Sequence, residues 1–218
     1  MAQGETILLA RAALGYAAKG YRVVPLYPGQ KRPHGLLAPH GLRGATADPA
    51  TIRAWWAREP RAGVGLLAPE GVLVLDVDTP EVWERLRGEY PTLEEAPRQR
   101  TPRGGVHVFL RLPPGLEGVL SAAVRRLEGV DLRGMAKAYL AAWPTRLSNG
   151  TYYWEVPLRR PEELPLAPPR LLQRLLPPPP PPPREVVLGA SRPSASPSRL
   201  RGLLDLSLIH ISEPTRPY

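Results

Sequence analysis

Leu73-Val74-Leu75-Asp76-Val77-Asp78 is an apolar run that closes on two aspartates one residue apart. Bounded by Gly71 before it and by Thr79-Pro80 after it, the run reads as a buried strand. A strand sends residues i and i+2 to the same face, so Asp76 and Asp78 converge at its end while Val77 enters a core. Two converged carboxylates make a hard oxygen site for Mg²⁺ or Mn²⁺, and a third from another strand completes a site for two ions.

Two further strings supply the missing partners. Arg103-Gly104-Gly105-Val106-His107-Val108-Phe109 places a glycine pair and a histidine at the start of a second apolar strand, and Gly129-Val130-Asp131-Leu132-Arg133-Gly134 places a third aspartate in another. The glycines let the backbone turn tightly or approach a phosphate, and His107 offers a hydrogen bond to it. Each element also has a plainer reading. Asp-x-Asp describes an exposed strand end as well as a metal pair, Asp131 fits an ion pair with Arg133, and a single histidine is more often structural than catalytic.

The surrounding chain alternates helix and strand signals. Apolar residues recur at helical spacing from Thr6 to Ala18, Gly20 stands where a helix would end, and Tyr21–Leu26 follows as a strand. Tyr27–Ala45 is a long loop rich in glycine, proline and basic residues, and a loop of that length is either functional or disordered. Asp48-Pro49 and Thr79-Pro80-Glu81 read as the caps and first turns of two helices, the first carrying Trp55 and Trp56. Strands are expected at Val64–Leu67, Val106–Leu112, Val130–Leu132, Tyr139–Ala142 and Tyr152–Val156, with a short helix over Arg170–Leu176. The mixture indicates an α/β or α+β class. Adjacent on a helix, Trp55 and Trp56 cannot share one face, so one is expected in the core and the other is open to base stacking or to covering the sheet.

Residues 1–176 are expected to form one domain, 177–205 a Pro/Ser/Arg-rich linker opened by the run Pro177–Pro183, and 206–218 the translation of a sequencing adapter, with the natural gene continuing beyond it. The formal net charge of +9 is carried almost wholly by arginine, since Lys19, Lys31 and Lys137 are the only lysines. Such a surplus favours a phosphate-bearing partner, although GC-rich codon usage also enriches arginine. With no cysteine, disulfides, thiolate zinc sites and cysteine nucleophiles are excluded. The sequence shows neither a signal peptide nor an apolar stretch long enough to span a bilayer, so a cytoplasmic protein is expected.

Taken jointly, these strings resemble the bifunctional primase/polymerase (prim-pol) domain of the archaeo-eukaryotic primase superfamily. The resemblance rests on Asp76-Val77-Asp78, on Thr101-Pro102-Arg103-Gly104-Gly105-Val106-His107 and on Val130-Asp131-Leu132-Arg133-Gly134. It extends to Gly20-Tyr21-Arg22-Val23-Val24-Pro25-Leu26, Lys31-Arg32-Pro33, and the stretch from His40 to Leu66, and covers about residues 6 to 176. One block departs from it: Met135-Ala136-Lys137-Ala138-Tyr139 replaces a glycine-rich turn, and Trp143 stands where the family carries the first of two prolines.

The resemblance implies a prim-pol palm, in which an RRM-like catalytic sheet packs with an N-terminal α/β module. It implies a template-directed nucleotidyltransferase of a plasmid, phage or mobile-element replication protein. Asp76, Asp78 and Asp131 would hold two divalent ions, Mg²⁺ or Mn²⁺, and His107 would contact the nucleotide triphosphate. Gly104, Gly105, Arg133 and Lys31 are further candidates for the phosphates or template. Implied partners are single-stranded DNA, (d)NTPs, and a helicase or helical priming domain encoded downstream; no zinc and no membrane are expected. Two alternatives stand beside this: a catalytically weak or inactive module that binds single-stranded DNA or nucleotide to position a helicase, and a metal-dependent sugar transferase resting on Asp-x-Asp alone.

Overall fold

A computed structural model describes residues 2–116, 120, 127–134, 136 and 138–176. The expected linker at 177–205, its polyproline run, the segment 206–218, and Met135 and Lys137 of the divergent block lie outside the described residues.

The centre is an antiparallel sheet of β3 (Val72–Val77), β4 (Arg98–Arg100), β5 (Val106–Arg111), β6 (Val130–Gly134) and β10 (Tyr153–Val156), in the order β10-β4-β5-β3-β6. Both faces are covered. Leu73, Leu75 and Val77 join Val106, Val108, Val130 and Leu132 in a core closed by Trp83 and Leu86 of α3 (Pro80–Glu89) and by Leu171, Leu172 and Leu175 of α4 (Pro169–Leu175). The intervening Val72 and Val74, with Phe109, face a second core. That double burial explains why β3 reads as an unbroken apolar run rather than an alternating one.

The second core belongs to a module of α1 (Ala2–Ala18), α2 (Pro49–Arg58) and a sheet ordered β1-β2-β7, made of β1 (Arg22–Leu26), β2 (Gly63–Leu67) and β7 (Tyr139–Ala142). The expected two-part α+β architecture is present, with one difference in its chain path. The module is not purely N-terminal, because β7, which follows the third motif, returns to pair with β2 from Val64↔Ala142 to Leu67↔Tyr139. Pro25 sits in β1, an edge strand where its missing N–H leaves no ladder bond unmade. The remaining strands, β8 (Arg146–Leu147) and β9 (Gly150–Thr151), form a short hairpin around Ser148-Asn149.

The helix caps form as the sequence predicts. The Asp48 side chain accepts hydrogen bonds from the Thr51 N–H at 2.8 Å and the Thr51 hydroxyl at 2.6 Å, and Pro49 opens α2. Thr79 caps α3 through the Val82 N–H at 3.4 Å. The expectation for the two tryptophans is corrected. Ile52, Trp55 and Trp56 are all buried, forming an apolar stripe at i, i+3 and i+4 that is wide enough to take both indoles. The Trp56 indole N–H donates to Ala62 O at 2.9 Å, and neither ring is free to stack a base.

Two features hold the end of the central sheet that carries Asp76 and Asp78. A Cβ on Gly105 would lie 2.3 Å from Val77 O and 2.7 Å from Asp78 O, so only glycine allows the β5 entrance to cross the exit of β3. At the other edge, Glu155 on β10 accepts hydrogen bonds from Arg98 at 2.9 Å and Arg100 at 2.7 Å, bracing β10 against β4. Burial alone would raise the Glu155 carboxyl, but the hydrogen bonds from Arg100 and Arg98 outweigh it and hold the group below the usual glutamate range.

Gly105→Ala should therefore cost about 2 kcal/mol or more in urea unfolding, the scale of a forced overpacking against backbone. Glu155→Gln should lose about 1 kcal/mol at pH 7, a partly screened pair. The lowered carboxyl stabilises the fold fully above its unfolded pKa of about 4.3 and loses that contribution as pH falls through the lower folded value. The gap between wild type and Glu155→Gln should thus close when the urea series is repeated at acid pH, and a gap independent of pH would contradict the ion-pair account.

Candidate active site

The site follows from strand register. Trp154 pairs with Gln99, Gln99 with His107, His107 with Asp76, and Asp76 with Asp131. Directly opposed residues share a face, so these five side chains form one row straight across the sheet, on the side that looks toward β7. At the Trp154 end the row is packed under the second core; at the Asp131 end it opens into a cleft of about 850 Å³.

Six of the residues singled out from sequence line that cleft: Asp76, Asp78, Asp131, His107, Arg133 and Lys31. Asp78, just past the end of β3, is exposed, and its N–H donates to Gly129 O at 2.9 Å. Lys31 arrives from the long loop that follows β1. The Tyr139 hydroxyl donates to Lys31 O at 2.8 Å, and the ammonium stands 5.9 Å from the centre of the Tyr152 ring. The loop is therefore an ordered arm that delivers a cation to the site.

Gly104 and Gly105 are near the cleft but not in its lining. The Gly104 N–H donates to Thr101 O at 2.9 Å within a turn that needs φ +86° at Gly104, and Gly105 is fixed by its approach to β3. Their observed role is to shape the turn that presents Arg103 and to bring His107 level with Asp76.

The charges in the row are coupled. The His107 Nε2 lies 3.2 Å from Asp76 Oδ1, the Arg133 Nε lies 3.4 Å from Asp76 Oδ2, and the Arg133 Nη2 lies 3.4 Å from Asp131 Oδ2. Burial pushes the Asp76 carboxyl up, but the His107 hydrogen bond and the positive charges around it, Arg133 and Lys31 included, outweigh that and leave it below the usual range. Asp76 is thus ionised at neutral pH. The Tyr152 phenol, buried and close to the Asp76 charge, is pushed up to about 12 and remains a neutral wall beside the His107 ring, 5.9 Å between centroids.

Among the described residues no three His, Asp or Glu side chains stand as a ready-formed metal cluster. The donor chemistry nevertheless fits a divalent ion. Two carboxylates from neighbouring strands already share one guanidinium, and the buried Arg133 Nε makes its ion-pair contact without a directional hydrogen bond. All-oxygen donors of this kind suit Mg²⁺ or Mn²⁺.

Sequence reading missed several members of the site. Gln99 lies in a three-residue strand flanked by arginines, a pattern that looks like polar loop. Thr101 and Arg103 are visible only inside the string Thr101–His107, with no role read for either, and Ser148 and Asn149 enter the lining through a turn.

No curated protein matches this chain. A family model described as the N-terminal region of bifunctional DNA primase/polymerases matches residues 13–167. The match runs from within α1 to just before α4, and so takes in both sheets and every residue of the cross-sheet row. The chain belongs to the bifunctional DNA primase/polymerase (Prim-Pol) family.

Proposed function

We propose that this domain is a template-directed nucleotidyltransferase that makes or extends a strand on single-stranded DNA, within a replication protein of a plasmid, phage or mobile element. The observation that carries the reading is the row His107–Asp76–Asp131 opening, with Asp78, Arg133 and Lys31, into one cleft. A cleft of about 850 Å³ is within the range of nucleotide-sized sites, and its lining is polar and charged.

In the reaction, the 3′-hydroxyl oxygen of the growing strand bonds to the α-phosphorus of the incoming nucleotide while the bond from that phosphorus to the bridging oxygen of the β-phosphate breaks and pyrophosphate leaves. Asp76, Asp78 and Asp131 would hold two divalent ions, which when bound lower the pKa of the attacking hydroxyl and neutralise charge on the phosphates. The chain's own contribution is orientation and electrostatics. His107 directs Nε2 at the Asp76 carboxylate and the phosphate space beside it, Lys31 and Arg103 supply positive charge to the cleft they both line, and Arg133 holds Asp76 and Asp131 together until a stronger cation competes.

Incorporation of labelled nucleotides by the full chain, on primed and unprimed single-stranded DNA with Mg²⁺ or Mn²⁺, tests the reading. Product should require the metal and should fall by at least about a thousandfold in Asp76→Asn, the scale of losing a group that organises the transition state. A folded wild-type chain that binds DNA but yields no product under any of these conditions would favour the non-enzymatic module instead. Removing the Arg133 charge gives an independent check. Mn²⁺ measured by calorimetry should bind Arg133→Gln about fivefold to tenfold more tightly than wild type, because a competing cation is gone. The nucleotide KM should rise in the same variant.

A further inference from the structure

Gln99 is wholly buried, at 0 % exposure, and its carboxamide makes three polar contacts. The Trp143 backbone N–H lies 3.2 Å from Oε1 and can only donate, so Oε1 accepts there. The Ala141 carbonyl lies 2.9 Å from Nε2 and can only accept, so Nε2 donates there. These two backbone partners fix the amide's orientation, since a flip would set donor against donor and acceptor against acceptor.

The third contact, Nε2 of Gln99 to Nδ1 of His107 at 2.9 Å, is then also a donation from the amide, and it needs an Nδ1 that carries no proton. A neutral imidazole has one ring proton, which must be on Nε2, the nitrogen 3.2 Å from Asp76 Oδ1. We infer that Gln99 is a positioning residue that locks His107 in the neutral Nε2–H tautomer and so sets it as a fixed hydrogen-bond donor toward Asp76 and the phosphates of the incoming nucleotide. The nucleotide half of this inference rests on the function proposed above; the tautomer half does not.

The arrangement has a structural logic. Gln99 is on β4, whereas Ala141 and Trp143 are on and just beyond β7, so one side chain ties the catalytic sheet to the second module while ordering the histidine between them. The aromatic neighbours continue the tie: the Trp154 indole N–H donates to the Tyr16 hydroxyl at 2.8 Å, which donates to Trp143 O at 2.6 Å. An apolar side chain at residue 99 would leave the His107 Nδ1, the Trp143 N–H and the Ala141 carbonyl without this partner.

The test is a long-range proton–nitrogen correlation spectrum of the ¹⁵N-labelled full chain, with the His107 signals assigned by their loss in His107→Asn. The wild type should show Nδ1 as the bare nitrogen and Nε2 as the protonated one. Gln99→Met, close in length and without polar atoms, should shift both nitrogens toward averaged values and raise the nucleotide KM about tenfold, one hydrogen bond's worth, with a smaller change in kcat. A protonated Nδ1 in the wild type would overturn the tautomer assignment without any need for the variant to fold. An unchanged His107 spectrum in folded Gln99→Met would overturn the role of Gln99. A changed tautomer with unaltered nucleotide KM would overturn the link to substrate. The two spectroscopic readings do not depend on turnover, so failure of the tautomer assignment or of the role of Gln99 separates from failure of the polymerase assay.

Discussion

The antiparallel register of β3 against β5 and β6 is the constraint on which the site depends. Because Asp76 is opposed on one side by His107 and on the other by Asp131, an imidazole and two carboxylates from three distant parts of the chain share a face, with His107 and Asp131 each one strand spacing from Asp76. Nothing else in the fold needs to bring them together. The helices and the second sheet serve to keep that register unique: Leu73, Leu75 and Val77 fill the core beneath α3 and α4, Val72 and Val74 fill the opposite core, and neither set can exchange with the other.

The two ends of the row differ. Toward its Gln99 end the row is buried and closed by the Trp143 N–H and the Ala141 carbonyl, and toward Asp131 it opens into the cleft. Polarity therefore graduates along a line of side chains, from an indole through an amide and an imidazole to carboxylates. A buried amide that is fully satisfied can orient its neighbour, here His107, without adding a net charge close to the ionised Asp76. Trp143 has a part in this that a proline at that position could not fill, because the contact uses its N–H.

Much of the architecture was legible because its signals are local. Asp48-Pro49 and Thr79-Pro80 announce helix starts through side chains that bond within three residues, and the strands at 72–77, 106–111 and 139–142 carry enough apolar residues to identify themselves. The three motif strings also name most of the cleft. What stayed hidden was set by pairing at long range. β4 has one inward side chain, a glutamine, and becomes a strand only because β5 and β10 flank it. The return of β7 to the first sheet is a matter of chain path that no local pattern encodes. The indole pair of α2 was misjudged because adjacency on a helix was weighed without the width of the surface it covers.

The row also ties chemistry to folding cooperativity. A sheet that slipped by one residue along β3 would not weaken the site by degrees; it would turn Asp76 into the apolar core and present Val77 to the cleft. The centre can thus exist only in its complete form or not at all, and the amide protons of β3 and its neighbours become a direct gauge of the fraction of molecules in which the row is assembled, a gauge that needs no ligand to be read.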